Sequence, residues 1–222
     1  MLSRRKLWVL ITAIVLLVTT IDVSETCAYL KDTWDLKLED PFKTESVVGK
    51  PVEDGYEFML LKRYYSFFYY FNISQDVGLG SKVFVETHVL EAQNTAVGVG
   101  LGNDRQGYVL EIFPSGKVEL NYWERFPSKQ MDNWDVSYWK VWEEKIKPPT
   151  FPLKLRCEYE GIPAQIKGFI NGEMFVTLDL EKNPVGSVPR IIDKCGVKVA
   201  SVNEKPPYKA IFSILNVGGN LE

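Results

Sequence analysis

The sequence predicts an all-β protein, a two-sheet antiparallel β-sandwich. Three observations carry that expectation. Residues 153–180 read LKLRCEYEGIPAQIKGFINGEMFVTLDL, where apolar and polar side chains alternate, break at Gly161-Ile162-Pro163, resume, and break again at Asn171-Gly172. Alternation with period two gives a strand one apolar and one polar face. Asn-Gly between alternating runs is the strongest short hairpin signal, because both residues tolerate the positive φ of a type I′ turn. Similar runs recur roughly every 8–12 residues with turn residues between them, the spacing of a sandwich. Nothing has a helical period, no Pro/Ser linker divides the chain, and no repeat is visible.

Composition sets the bounds. The 222 residues are 45% hydrophobic and 25% charged, enough for one sandwich with a real core. A net charge of −3 without a basic stripe argues against nucleic acid as a partner. The single histidine, His88, excludes sites that need several imidazoles, and three cysteines with no CxxC exclude the usual zinc arrangements. No cofactor is expected. Calcium could find oxygen ligands at Asn103-Asp104 or at Asp132 with Asp135, although each is more simply a turn.

In chain order, Arg4, Arg5 and Lys6 precede an apolar run over residues 7–18, and Thr26-Cys27-Ala28 offers small residues for cleavage. This is the pattern of a secretory signal over residues 1–28. It leaves residues 29–222 as a single domain, secreted or held at the cell surface. Membrane contact is expected only if that segment stays uncleaved. Residues 29–55 read as one short strand and loops, and residues 56–61 as a strand. Residues 64–71, YYSFFYYF, form an aromatic strand that is buried on both faces or closes the sandwich. Asn72-Ile73-Ser74 is a glycosylation sequon.

Strands then follow over residues 82–91, 95–101, 107–113 and 117–123. The glycines of the second mark close backbone approach or a bulge. After residues 153–180, two more strands span 195–201 and 208–217. Cys157 and Cys195 lie on the apolar phase of their strands. In an oxidising compartment they could form one inward disulfide, or stay as two separate buried thiols.

The blocks KVFVETHVLEAQNTAVGVGLG, GYVLEIFPSGKVELNYW, FPLKLRCEYEGIPAQIKGFINGEMFVTLDL, CGVKVAS and YKAIFSILNVGG follow one another over about two-thirds of the chain. Their order resembles the concanavalin A-like lectin/glucanase superfamily, in its laminin-G-like and sugar-hydrolase-domain-like branch. The resemblance implies a jelly roll with a glycan lying on the concave face of one sheet. Its glucanases carry Glu-x-Asp-x-x-Glu on one strand. The nearest run here, Glu119-Leu-Asn-Tyr-Trp-Glu124, departs from that pattern, which implies binding rather than catalysis.

Two constellations are candidates for a site. One is the polar phase of the central strands: Glu86, His88, Glu111, Glu119, Asn121, Trp123 and Arg156, with Lys154 and Glu158, read as one sheet face. Paired carboxylates there could do acid/base work on a glycosidic bond; otherwise they are a solvated face of cross-strand charge pairs. The other is residues 122–144, an insertion holding four of the five tryptophans outside the leader, with Trp123 and Trp134 expected to be the exposed pair. Aromatic rings offer flat apolar faces to sugar C–H groups while nearby carboxylates and amides bond hydroxyls. A glycan-acting hydrolase or lyase, and an adhesion domain contacting another protein, are the alternatives.

Overall fold

The computed structural model describes residues 28–77, 81–127, 134–182, 191–202 and 205–221. The leader and Cys27 therefore lie outside the described residues. Fifteen strands are described: β1 Ala28–Asp35, β2 Phe42–Lys43, β3 Val47–Val52, β4 Gly55–Leu60, β5 Ser66–Val77, β6 Lys82–Gln93, β7 Thr95–Gly102, β8 Gln106–Ile112, β9 Lys117–Pro127, β10 Trp134–Lys145, β11 Leu153–Gly161, β12 Ala164–Ile170, β13 Glu173–Asp179, β14 Ile192–Ser201 and β15 Tyr208–Leu221. A 3-10 turn, Leu36–Leu38, follows β1.

They form two antiparallel sheets. The larger runs β13-β12-β11-β6-β15-β4-β3-β2, with β1 also on β15, and the smaller runs β10-β9-β8-β7-β14-β5. This is the two-sheet sandwich that the alternation predicts, consistent with the jelly roll that the resemblance implies. β15 holds the larger sheet together. Residues 208–212 pair with β4 and residues 214–221 with β1, on either side of register shifts at Phe212 and Leu215.

The core lies between the inward phases. Val83, Val85 and Val89 of β6 and Leu155, Cys157 and Tyr159 of β11 meet Val97, Val99, Leu110, Leu120, Val197 and Val199 of the smaller sheet, all essentially inaccessible to solvent. The meander is as expected, with Asn171 at φ 52° and Gly172 at φ 85° turning β12 into β13. β7 pairs regularly with β8 and β14, so its glycines mark close approach and not a bulge.

Four expectations are corrected. Residues 29–55 hold β1, β2 and β3 and not one strand. The aromatic run is the first part of an edge strand. Phe67, Tyr69 and Phe71 pack on the core while Phe68 and Tyr70 occupy the outer phase. Residues 122–144 are largely the hairpin of β9 and β10, with Trp142 against the core. Cys157 and Cys195 form no disulfide and are two buried free thiols. The reason is lateral offset. β11 packs across the core on β7 and β8, whereas β14 packs on β15, β4 and β6. Burial pushes the Cys157 thiol up to about 12 and raises Cys195 as well.

Candidate functional site

The sequence groups the polar phases of β6, β8, β9 and β11 on one face, and the structure separates them. Glu86, His88, Lys154, Arg156 and Glu158 stand on the outer face of the larger sheet. Glu111, Glu119, Asn121 and Trp123 stand on the outer face of the smaller one. The chain passes from β6 to β7 through the single residue Asn94, at φ 52°, and changes sheet as it does so. Alternation reports the face of a strand but not its sheet, so the two outer faces look alike in sequence.

On the smaller sheet the register sets three rows. The first is Phe68, Lys198, Gly98, Glu111, Glu119 and Glu143. The second is Tyr70, Gly196, Gly100, Val109, Asn121 and Lys140. The third is Asn72, Lys194, Gly102, Gly107, Trp123 and Tyr138. Glycines fill the middle of each row, so side chains on either side lie down over the sheet. A Cβ at Gly196 would fall 2.6 Å from the Phe68 ring, and one at Gly107 would fall 2.8 Å from Trp123 Nε1.

The bare middle lets charges meet across strands. Lys198 Nζ reaches over Gly98 to donate to Glu111 Oε2 at 2.7 Å, with side chains only 6% and 4% exposed. Asn121 Nδ2 donates to the same oxygen at 2.8 Å and to Glu119 Oε2 at 3.3 Å. Lys117 pairs with the other oxygen of Glu119 at 2.8 Å. Two carboxylates, one amide and two ammonium groups thus form one connected network. A buried charge is tolerable only when paired and hydrogen-bonded in this way.

Tyr138 covers the network. Its ring centroid lies 4.2 Å from Lys198 Nζ, a cation–π distance. On a flat sheet β10 and β14 would stand about 19 Å apart, four spacings of about 4.8 Å, too far for a tyrosine and a lysine to meet. The sheet therefore curls, and this face is concave. Burial raises the Tyr138 hydroxyl pKa; Lys198 opposes the rise and Glu111 adds to it, so the phenol stays neutral and can donate. Phe68 and Tyr70 stack at 4.3 Å, and Tyr70 lies 6.1 Å from Trp123.

Trp123 is 2% exposed, which corrects the expectation that it is an exposed aromatic. Its Nε1 is buried without a hydrogen-bond partner among the described residues. Trp134 opens β10 opposite Pro127, and its side chain lies outside the described ones. Among its described side chains β10 has two accessible rings, Tyr138, 43% exposed, in the outer phase and Trp139, 40% exposed, in the inner phase, so the one on this face is Tyr138. Neither Tyr138 nor Lys198 is among the site residues expected from the sequence. The available signal was the one charge inside the apolar run CGVKVAS.

The run nearest the glucanase signature has no bulge. Glu119 and Asn121 stay on the concave face, while Glu124 lies near the inner-phase Tyr122 hydroxyl, which donates to it at 3.4 Å. At the turn considered for calcium, Asn103 Oδ1 accepts from the Arg105 and Gln106 amides and Asp104 pairs with Lys194 at 2.6 Å. Among the described residues no group of three or more His, Cys, Asp or Glu could hold a metal ion. Asp132 and the Asp135 side chain lie outside those described.

No protein-family model matches the chain, and no curated protein does. Among solved structures, a Crh5 transglycosylase in complex with NAG superposes with a TM-score of 0.50 at 13% identity, over 84% of this chain and 83% of that one. A glycoside hydrolase family 16 endo-glucanase from Bacteroides ovatus gives 0.49 at 10% identity, over 88% and 97%. The carbohydrate-binding module CBM66 from Bacillus subtilis gives 0.47 at 12% identity, over 82% and 91%. At these identities the likeness is one of fold alone, the two-sheet jelly-roll sandwich.

Proposed function

We propose that this protein is a secreted or cell-surface sandwich that binds carbohydrate on the concave face of its smaller sheet without turning it over. The observation that carries the reading is the Lys198–Glu111–Asn121–Glu119 network under the half-open Tyr138 ring. A sugar needs a flat apolar surface for its C–H face and fixed polar groups for its hydroxyls. Tyr138 supplies the first; Glu119 and Lys117, the members of the network with side chains still in reach of solvent, supply the second, while the buried Lys198, Glu111 and Asn121 hold them in place. They are held in place before any ligand arrives, so little ordering entropy is lost on binding. The transglycosylase solved with NAG supports carbohydrate as the class of ligand. Among the described residues no helix is long and apolar enough to cross a membrane.

Catalysis is the second reading, and one observation favours it. Because Asn121 Nδ2 bonds both carboxylates, the two bonded oxygens lie no more than 6.1 Å apart, the sum of 2.8 and 3.3 Å. Retaining glycosidases hold their two carboxyl groups about 5–5.5 Å apart. Against it, each carboxylate here already has a lysine, whereas the reaction needs one protonated acid to release the leaving group.

The test is a glycan array and affinity gels of the purified protein, with and without calcium, following tryptophan fluorescence. Binding to a glycan that is lost in Tyr138→Ala supports the reading. Release of new reducing ends, abolished in Glu119→Gln, would replace it with the catalytic one. A folded protein that retains no glycan overturns both.

A further inference from the structure

The opposite face of the sandwich carries a second constellation, which the concave face does not use. Register across β1, β15, β6, β11, β12 and β13 sets two outward rows there. One is Lys31, Gly218, Phe84, Glu158, Lys167 and Thr177; the other is Thr33, Asn216, Glu86, Arg156, Phe169 and Met174. Three depressions of ≈ 480, ≈ 530 and ≈ 280 Å³ adjoin along these rows and share Glu86 as a common wall.

Their lining is cationic. Lys31, Lys82, Lys154, Arg156 and Lys167 line them against only two carboxylates, Glu86 and Glu158, in a chain whose net charge is −3. Glu158 is consumed by Lys82 and Arg156, and Lys167 pairs with Glu160 at the edge. Glu86 stands 3.7 Å from Lys154 and 3.8 Å from His88, too far for a close hydrogen bond to either. Lys154 is about half exposed, so its charge faces the depressions. A concentration of one sign in a depression draws ligands of the other.

The floor is built and aromatic. Gly218 lets the Phe84 ring lie flat on β15, since a Cβ there would fall 2.6 Å from it. The Arg156 guanidinium lies over the Phe84 ring, 3.8 Å from its centroid, with the Phe169 centroid at 5.4 Å. Arg156 Nη2 also donates to Glu158, so the guanidinium is held in place and its remaining edge meets a carboxylate or sulfate with little further loss of freedom.

We propose that this groove binds an acidic saccharide: its carboxylate or sulfate groups meet Lys31, Lys154 and the Arg156 edge, and a ring face lies on Phe169. The site is distinct from the concave face and does not depend on what that face binds. The length of the rows, six strands, suits an oligosaccharide and not a single ion.

The test measures affinity of the full chain for a heparin dodecasaccharide, as the sulfate probe, and an oligogalacturonate, as the carboxylate probe. A neutral cello-oligosaccharide and single-stranded DNA are the comparisons, each at low and at 300 mM salt. Expected are binding of at least one acidic probe that weakens with salt, a tenfold or greater loss in the Lys31→Glu/Lys154→Glu double variant, retention in Lys154→Arg, and no change in Tyr138→Ala. Whichever acidic probe binds names the source of the anion. No binding of either acidic probe by the folded protein, an unchanged double variant, loss in Tyr138→Ala instead, or tighter binding of DNA would each overturn the proposal.

Discussion

Lys198 and Glu111 show most clearly what a single side chain contributes here. The pair is nearly inaccessible, so removing one partner strands a charge in a poorly solvated place. Lys198→Met should therefore lower stability in urea by about 3–5 kcal/mol. Lys198→Met with Glu111→Leu should recover most of that, since replacing both members by apolar groups is close to neutral. A double variant as unstable as the single one would mean the network is held by something other than charge. Glu158 is as buried as Glu111, but its partners Lys82 and Arg156 are far more exposed than Lys198. Burial acts to raise its pKa, but hydrogen bonds and charge from Lys82 and Arg156 outweigh burial and hold it below the usual carboxylate range. A depressed pKa contributes stability that is present above the unfolded value and lost as pH falls through the folded one. Glu158→Gln should thus cost about 1–2 kcal/mol near neutrality and progressively less below about pH 4. Equal costs at pH 7 and pH 3 would contradict the assignment. The buried thiols should stay unmodified by an aromatic disulfide in the native protein and react in urea, as peptide mapping would show. A peptide linking Cys157 to Cys195 would contradict the two-thiol state.

The β12–β13 turn separates conformational cost from steric cost. Gly172 has φ 85° and nothing within 4 Å of where a Cβ would stand, so Gly172→Ala should lose about 1 kcal/mol through backbone strain alone. At Gly168 a Cβ would press on Val176 at 2.7 Å and Leu110 at 2.9 Å, so Gly168→Ala should lose clearly more. Comparable losses would mean the turn is not held as described. This hairpin was fully legible in the sequence, because Asn171-Gly172 and the flanking alternation are local signals. So were β6, β7, β8 and β9. What could not be read was which strands share a sheet. That is decided at corners such as Asn94, where one residue moves the chain from one sheet to the other. The polar set from Glu86 to Glu158 therefore looked like one surface and is two. Trp123 was misplaced for a related reason. Its burial comes from Gly107 across the strand and from Tyr70 at the far edge of the sheet, neither adjacent in sequence.

Taken together, the two sheets give the molecule two unlike outer faces. The smaller sheet curls until Tyr138 on its edge strand meets Lys198 four strands away, and that curl gathers Glu111, Glu119 and Asn121 beneath one accessible ring. The larger sheet spreads its cations along open depressions. Under the two proposals the first face takes a carbohydrate and the second an acidic saccharide. The fold was evident from periodicity, whereas the concave site depends on contacts spanning the full width of a sheet. The most direct measurement is binding of the protein and of Tyr138→Ala to a panel of neutral glycans, read by tryptophan fluorescence with stability checked in parallel. The expected result is saturable binding by the protein and at least a tenfold weaker response in an equally stable Tyr138→Ala. Saturable binding that Tyr138→Ala leaves unchanged, or none from a folded protein, would contradict the account of the concave face.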